Sequence, residues 1–135
     1  MKLKVGIAGY GIVGKRRRHY IDENLHMETI AVCDQFFQEK GIMADGVRCF
    51  TNYLELVNEP LDVLFVSLPN YLAPEVTIAG LENGIHVFCE KPPGMSVEDV
   101  KTVLFTKQKY PALKLKYGFN HRYHPAMEQV NTLVK

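Results

Sequence analysis

The run Gly9-Tyr10-Gly11-Ile12-Val13-Gly14 sits directly behind the apolar stretch Leu3-Lys4-Val5-Gly6-Ile7-Ala8, and no other segment restricts the fold of this chain as strongly. Glycines spaced G-x-G-x-x-G between a strand and a helix have three uses. The first permits a tight turn, the second leaves the backbone open to a close ligand, and the third lets the helix pack onto the strand. An acidic residue, Asp34, follows twenty positions after Gly14, at the end of a second apolar run from Met27 to Cys33. That context separates a phosphate-cradling turn from a chance cluster of glycines.

A helix opening at Ile12 points its unpaired N–H groups and the positive end of its dipole at whatever lies over Gly11, which suits a pyrophosphate. A carboxylate at Asp34 suits the hydroxyls of an adenosine ribose and repels a 2′-phosphate. Gln35 beside it supplies no cation for that phosphate. The expected cofactor is therefore NAD, with NADP less favoured.

Short apolar runs alternate with amphipathic segments along the rest of the chain. Strands are predicted at Leu3 to Ala8, Met27 to Cys33, Val47 to Phe50, Leu61 to Leu68, Ile85 to Cys89 and Leu113 to Phe119. Helices are predicted at Ile12 to Asn24, Asn52 to Asn58, Pro74 to Asn83, from Ser96 to about Gln108, and from Pro125 to Val134. Ser96 before Val97-Glu98-Asp99 reads as an N-cap with acidic residues in the first turn. Leu61 to Leu68 is apolar almost throughout, as for a parallel strand covered on both faces. Such alternation gives an α/β domain with a doubly wound, mostly parallel sheet, a Rossmann-type NAD(P)-binding domain.

Composition narrows the remaining classes. Sixteen Lys and Arg against fifteen Asp and Glu leave a net charge of +1, which supplies no broad basic surface for nucleic acid or anionic lipid. The one dense basic run, Lys15-Arg16-Arg17-Arg18-His19, is distributed around a helix and reads as a solvated face. No apolar run approaches the length of a membrane helix. Cys33, Cys49 and Cys89 have neither disulfide nor zinc spacing, so buried thiols and a cytoplasmic location are expected, with no metal site. His19, His26 and His86 read as structural, whereas His121 and His124 stand where a substrate crevice would open.

Two further stretches, Ser67-Leu68-Pro69-Asn70 and Gly84-Ile85-His86-Val87-Phe88-Cys89-Glu90-Lys91-Pro92, join the glycine turn in a recognisable pattern. Together they resemble the nucleotide-binding half of the glucose–fructose oxidoreductase, inositol dehydrogenase and MocA-type family. Gly118-Phe119-Asn120-His121-Arg122-Tyr123 is similar to that family's segment after the sixth strand, so the resemblance spans essentially the whole chain. It implies cofactor contacts from Gly9, Tyr10, Gly11, Ile12, Val13, Gly14, Asp34, Leu68, Pro69, Asn70, Glu90 and Lys91. It also implies substrate contacts from His121, Arg122 and Tyr123, a cis Lys91–Pro92 bond, and Lys91 as the catalytic residue.

A physical argument for Lys91 stands beside the resemblance. A lysine at the carboxyl end of a strand in a doubly wound sheet faces the ligand crevice, where partial desolvation would suit it to polarising a substrate oxygen. Two residues depart from the family pattern. Ala73 stands where a histidine is common, and Pro93 removes a backbone donor beside the site.

The family continues into a second α/β domain that binds substrate, often aids homo-oligomerisation, and commonly supplies an Asp and a general-base His. Residues 1–124 are accordingly expected to form the dinucleotide-binding domain and residues 125–135 the start of the connection to that absent domain. The implied activity is hydride transfer between the nicotinamide and a sugar- or cyclitol-like hydroxyl, with little turnover by this half alone. A stand-alone module that binds or senses NAD(H) without catalysis is the alternative.

Overall fold

The computed structural model describes residues 1–135. Strand β1 (Leu3–Ala8) leads through the glycine turn into helix α1 (Ile12–Glu23), and β2 (Met27–Cys33) follows. A two-residue strand β3 (Gly41–Ile42), β4 (Arg48–Phe50) and the single turn α2 (Tyr53–Leu56) complete the first half. The second half alternates β5 (Val63–Val66), α3 (Ala73–Glu82), β6 (His86–Cys89), α4 (Val97–Lys109) and β7 (Leu115–Tyr117). A 3₁₀ turn at Asn120–Tyr123 and helix α5 (Pro125–Leu133) end the chain.

These elements form one seven-stranded sheet in the order β3-β4-β2-β1-β5-β6-β7. Every pairing is parallel except that of β3 with β4. The order therefore reverses between β1 and β5, which makes their carboxyl ends the switch point where open α/β sheets bind ligands. The expected doubly wound, mostly parallel architecture is present. The hairpin strand β3 has no counterpart among the predicted strands, because two residues show no periodicity to read.

Alternation along the strands divides the core between two faces. Val5, Ile7 and Val32 pack with Ile21 of α1 and with Val47 on one side. Leu64, Val66, Val87 and Cys89 pack with Leu56 of α2 and with Val76 and Leu81 of α3 on the other. Each fully buried side chain of this size contributes about 1.5–3 kcal/mol relative to exposure. Full cover of the Leu61–Leu68 run holds on one face only. Val63 and Phe65 point to the α1 side and are half-buried, because α1 lies mainly over β2. Phe65 stacks instead on Phe88 of the neighbouring strand, ring centroids 4.9 Å apart.

Helix ends follow their sequence signals. Ser96 accepts a hydrogen bond from the Asp99 amide, and the Asp99 carboxylate accepts one from the Ser96 amide, a complete capping box. Asn52 caps α2 by accepting from the Leu54 amide. Helix α5 buries no residue and leaves Met127, Val130 and Leu133 exposed.

Ser96→Ala removes the cap's side-chain acceptor and should cost about 1 kcal/mol of folding free energy in urea denaturation. A second expectation concerns alkaline pH. Burial raises the Cys33 thiol to about 12, with a smaller contribution from the Asp34 charge, and burial raises the Cys89 thiol to about 11. In the unfolded chain such thiols ionise near about 8.5. Their contribution to stability is whole below that value and is lost as pH rises through the folded values. Folding free energy should therefore decline progressively above about pH 9, and the decline should flatten in the Cys33→Ala/Cys89→Ala double variant.

Candidate functional site

Backbone geometry at the switch point is fixed by what glycine permits. Gly9 adopts φ +91°, and a Cβ there would run into the Ser67 carbonyl at the end of β5. A Cβ on Gly14 would run into the Gly9 carbonyl, so α1 can seat its first turn against the end of β1 only with hydrogen at that position. Gly11 contrasts with both, since a Cβ there would meet nothing within 4 Å. Its outer side is open.

Helix α1 begins with Gly11 as its N-cap and has no side-chain cap and no acidic residue in its first turn. The amides of Gly11, Ile12 and Val13 have no hydrogen-bond partner in the chain. Together with the helix dipole they form an anion-binding end directed at the open side of Gly11.

Asp34 stands beside this turn at the end of β2. One carboxylate oxygen accepts from the Tyr10 amide at 2.8 Å and the other from the Phe36 amide at 2.9 Å. These bonds hold the carboxylate in place and leave further lone pairs on both oxygens. Tyr10 is fixed in turn. Its hydroxyl accepts from Arg18 at 2.8 Å and its ring lies 6.1 Å from that of Phe37. Arg18 also pairs with Asp22 and Asp45, tying α1 to the loop before β4.

A cleft of about 660 Å³ opens over the switch point. Gly9, Gly11, Asp34, Leu68 and Pro69, all singled out from sequence, line it together. Its walls also include Phe36, Thr51, Asn52 and Tyr53, which the sequence reading passed over. Their signal was positional, because each follows the carboxyl end of β2 or β4, where such sheets take their ligands. Phe36 is 85% exposed and offers an aromatic face at the cleft mouth. The Ser67 hydroxyl, also in the lining, is buried without a hydrogen-bond partner.

The remaining candidates lie outside that cleft. Ile12 and Val13 are exposed at the start of α1, while Asn70 is half-buried beyond β5. Lys91 leaves the end of β6, two strands from β1 and thus about 10 Å along the same sheet edge. It is exposed and makes no ion pair or hydrogen bond, so the desolvation expected of it is not present in this structure. The Lys91–Pro92 bond is cis.

Glu90 is engaged internally. Its carboxylate pairs with the guanidinium of Arg17, whose centre lies 5.2 Å from the Phe88 ring. Arg17 and Arg18 are therefore not part of a solvated helix face. Their side chains are only 23% and 14% exposed, because acidic groups from outside the first turn of α1 reach them.

Beyond β7, His121, Arg122 and Tyr123 form an exposed 3₁₀ turn. The Lys116 ammonium sits 4.7 Å from the Tyr123 ring, and its closeness and charge lower the phenol from its ordinary range. His124 serves structure, since its Nδ1 accepts from the Ala126 amide and caps α5. His86 does likewise, accepting from the Lys114 amide. Ala73 is buried at the start of α3, where a histidine would have to displace core.

No helix is long and apolar enough to cross a membrane. Comparison with known proteins gives a consistent result. Residues 3–117 match the Gfo/Idh/MocA family model, described as an oxidoreductase family with an NAD-binding Rossmann fold. The chain is 32% identical over 138 residues to the D-glucoside 3-dehydrogenase of Escherichia coli, covering 98% of this chain and 39% of that protein. It is 26% identical over 140 residues to the inositol 2-dehydrogenase of Salmonella typhimurium, covering 99% of this chain and 42% of the relative.

The crystal structure of myo-inositol 2-dehydrogenase from Lactobacillus plantarum superposes with a TM-score of 0.84 at 25% identity, over 99% of this chain and 41% of that one. A similar superposition, TM-score 0.86 at 23% identity, covers 99% of this chain and 41% of scyllo-inositol dehydrogenase from Lactobacillus casei, a structure with bound NAD(H) and scyllo-inositol. The chain thus spans about 40% of the length of these relatives. On the match over residues 3–117, it belongs to the Gfo/Idh/MocA oxidoreductase family, whose NAD-binding Rossmann fold it carries.

Proposed function

We propose that the chain is the cofactor-binding half of an oxidoreductase that transfers hydride between NAD and a sugar- or cyclitol-like hydroxyl. One observation carries the reading. Three unpartnered amides at the start of α1 face the open side of Gly11, beside a carboxylate held at the end of β2. The residues present fit a dinucleotide. The α1 amides would take the pyrophosphate, Asp34 the adenosine ribose, and the cleft walls at Phe36 and Leu68 the apolar parts. The negative charge of Asp34 and the lack of a cation at Gln35 favour NAD over NADP. Both relatives described above by sequence act on cyclitols or sugars, which supports that substrate class.

When bound, the nicotinamide supplies the hydride chemistry. This chain's residues would then position and polarise. Pro69 and Asn70 leave β5 on the same edge as Lys91 leaves β6, so the cofactor would extend from the cleft toward Lys91. The Lys91 ammonium donates to the reacting substrate oxygen and stabilises the negative charge that develops there. His121, Arg122 and Tyr123, next along the edge beyond β7, provide donors for further hydroxyls. Residues 1–124 carry these groups, and 125–135 lead toward a substrate domain.

Calorimetric titration tests the cofactor assignment without needing tryptophan, which the chain lacks. NAD⁺ and NADH should bind and NADPH should bind more weakly. Asp34→Ala should weaken NADH binding about tenfold or more, as expected for loss of charged hydrogen bonds, and should narrow the gap to NADPH. Equal affinity of NADH and NADPH for the unaltered chain would overturn the preference. The purified chain should bind cofactor yet show no steady oxidation of myo-inositol or glucosides. Sustained NADH production on those polyols, followed by absorbance, would place the whole activity in these 135 residues.

A further inference from the structure

The pairing of Arg17 with Glu90 joins residues 73 positions apart and has no part in the phosphate-binding turn. Arg17 lies on the second turn of α1 and brings the centre of its guanidinium to 5.2 Å from the centroid of the half-buried Phe88 ring on β6. Both ends of the pair are shielded, with side-chain exposures of 23% and 14%. Such a site strengthens the attraction relative to a surface pair. The carboxylate is also seated from the other side. A Cβ on Gly118 would come within 2.8 Å of Glu90 Oε2, so a side chain at residue 118 would push the carboxylate from its present place. The Glu90 amide donates to the Val66 carbonyl, and the Gly118 amide donates to the Cys89 carbonyl, which fixes the backbone at this corner.

Glu90 is the residue immediately before Lys91, and Lys91 has no ionic partner. A free carboxylate at Glu90 would be the nearest anion along the chain to that ammonium. We infer that Arg17 is a positioning residue: by drawing the Glu90 carboxylate onto α1, it keeps the neighbouring Lys91 ammonium unpaired and available to a substrate oxygen. The inference rests on the reading of Lys91 as the group that polarises substrate, and it concerns what leaves that ammonium available.

The test reads Lys91 itself, in the full 135-residue chain and without cofactor. Acetylation by a water-soluble N-hydroxysuccinimide ester is followed at fixed pH by peptide mass spectrometry, with Lys101 as an internal reference. Arg17→Met keeps the aliphatic stem and removes the charge. It should slow Lys91 labelling at least threefold relative to Lys101, because the released carboxylate pairs with Lys91. Arg17→Lys should restore the rate, and so should adding Glu90→Gln to Arg17→Met.

Gly118→Ala provides an independent route that leaves Arg17 in place. The added methyl displaces the carboxylate from its seat and should slow Lys91 in the same direction. Labelling of Lys91 within 1.5-fold of the unaltered chain in a folded Arg17→Met or Gly118→Ala variant would overturn the proposal, as would slowing that persists after Glu90→Gln is added. NADH titrations on the same variants separate this outcome from failure of the cofactor assignment, which depends on the α1 amides and Asp34.

Discussion

The contact between Gly14 and the Gly9 carbonyl is the constraint on which the rest of the site depends. Two backbones meet there at a distance that any Cβ would forbid. Because they meet, the first turn of α1 lies against the end of β1, and the free amides of that turn point over the sheet edge. Gly9 in turn fits beneath the Ser67 carbonyl, which brings the end of β5 to the same place. The Tyr10 amide reaches Asp34 only from this turn, so the placement of that carboxylate depends on it as well. Helix dipole, open amides and carboxylate therefore share one origin in steric exclusion at two glycines.

Around this backbone centre the side chains form a scaffold of charge. Arg18 links Tyr10 to Asp22 and Asp45, and Arg17 links Glu90 to α1. Both arginines come from a run that looked like ordinary solvated charge. Asp22 stands at helical i,i+4 spacing from Arg18, but the other acidic partners arrive from residue 45 and residue 90, and no local pattern records such distances. A basic run on a helix can therefore be structural at some positions and solvated at others: Lys15 and Arg16 are exposed while their neighbours are not.

The legible parts of this fold were those specified locally. Strand β1 and strand β2 begin and end at the residues their apolar runs marked, and the Ser96 cap opens α4 where its sequence signal stood. The glycine turn and Asp34 were legible because spacing and flanking elements express a mechanism together. Features made by tertiary neighbours were not legible. Strand β3 exists because β4 supplies its hydrogen bonds, and the half-exposed face at Phe65 exists because α1 lies toward β2. Thr51, Asn52 and Tyr53 entered the cleft through the parallel pairing of β2 with β4, a placement that composition cannot express. Lys91 was singled out by position and resemblance, whereas its exposure depends on what surrounds it in space.

The groups proposed for binding and those proposed for chemistry thus differ in kind. The cleft proposed for the cofactor joins Gly9, Gly11 and the open start of α1 to side-chain walls that follow β2, β4 and β5 in the same sheet. The groups assigned to the reacting end, Lys91, His121, Arg122 and Tyr123, are exposed side chains along the outer half of the same edge. An exposed ammonium interacts with a developing oxyanion through water, where a unit charge pair at 4 Å is worth only about 1 kcal/mol. Enclosing it lowers the local dielectric and multiplies that attraction several-fold. On the proposed reading, the dinucleotide would be held by the folded ends of β1, β2, β4 and β5, and the Lys91 ammonium would act more strongly under a cover that excludes water. In the proposed arrangement, the Arg17–Glu90 pair holds that carboxylate aside, so that an enclosed Lys91 ammonium would not be neutralised by its neighbour before a substrate oxygen reached it.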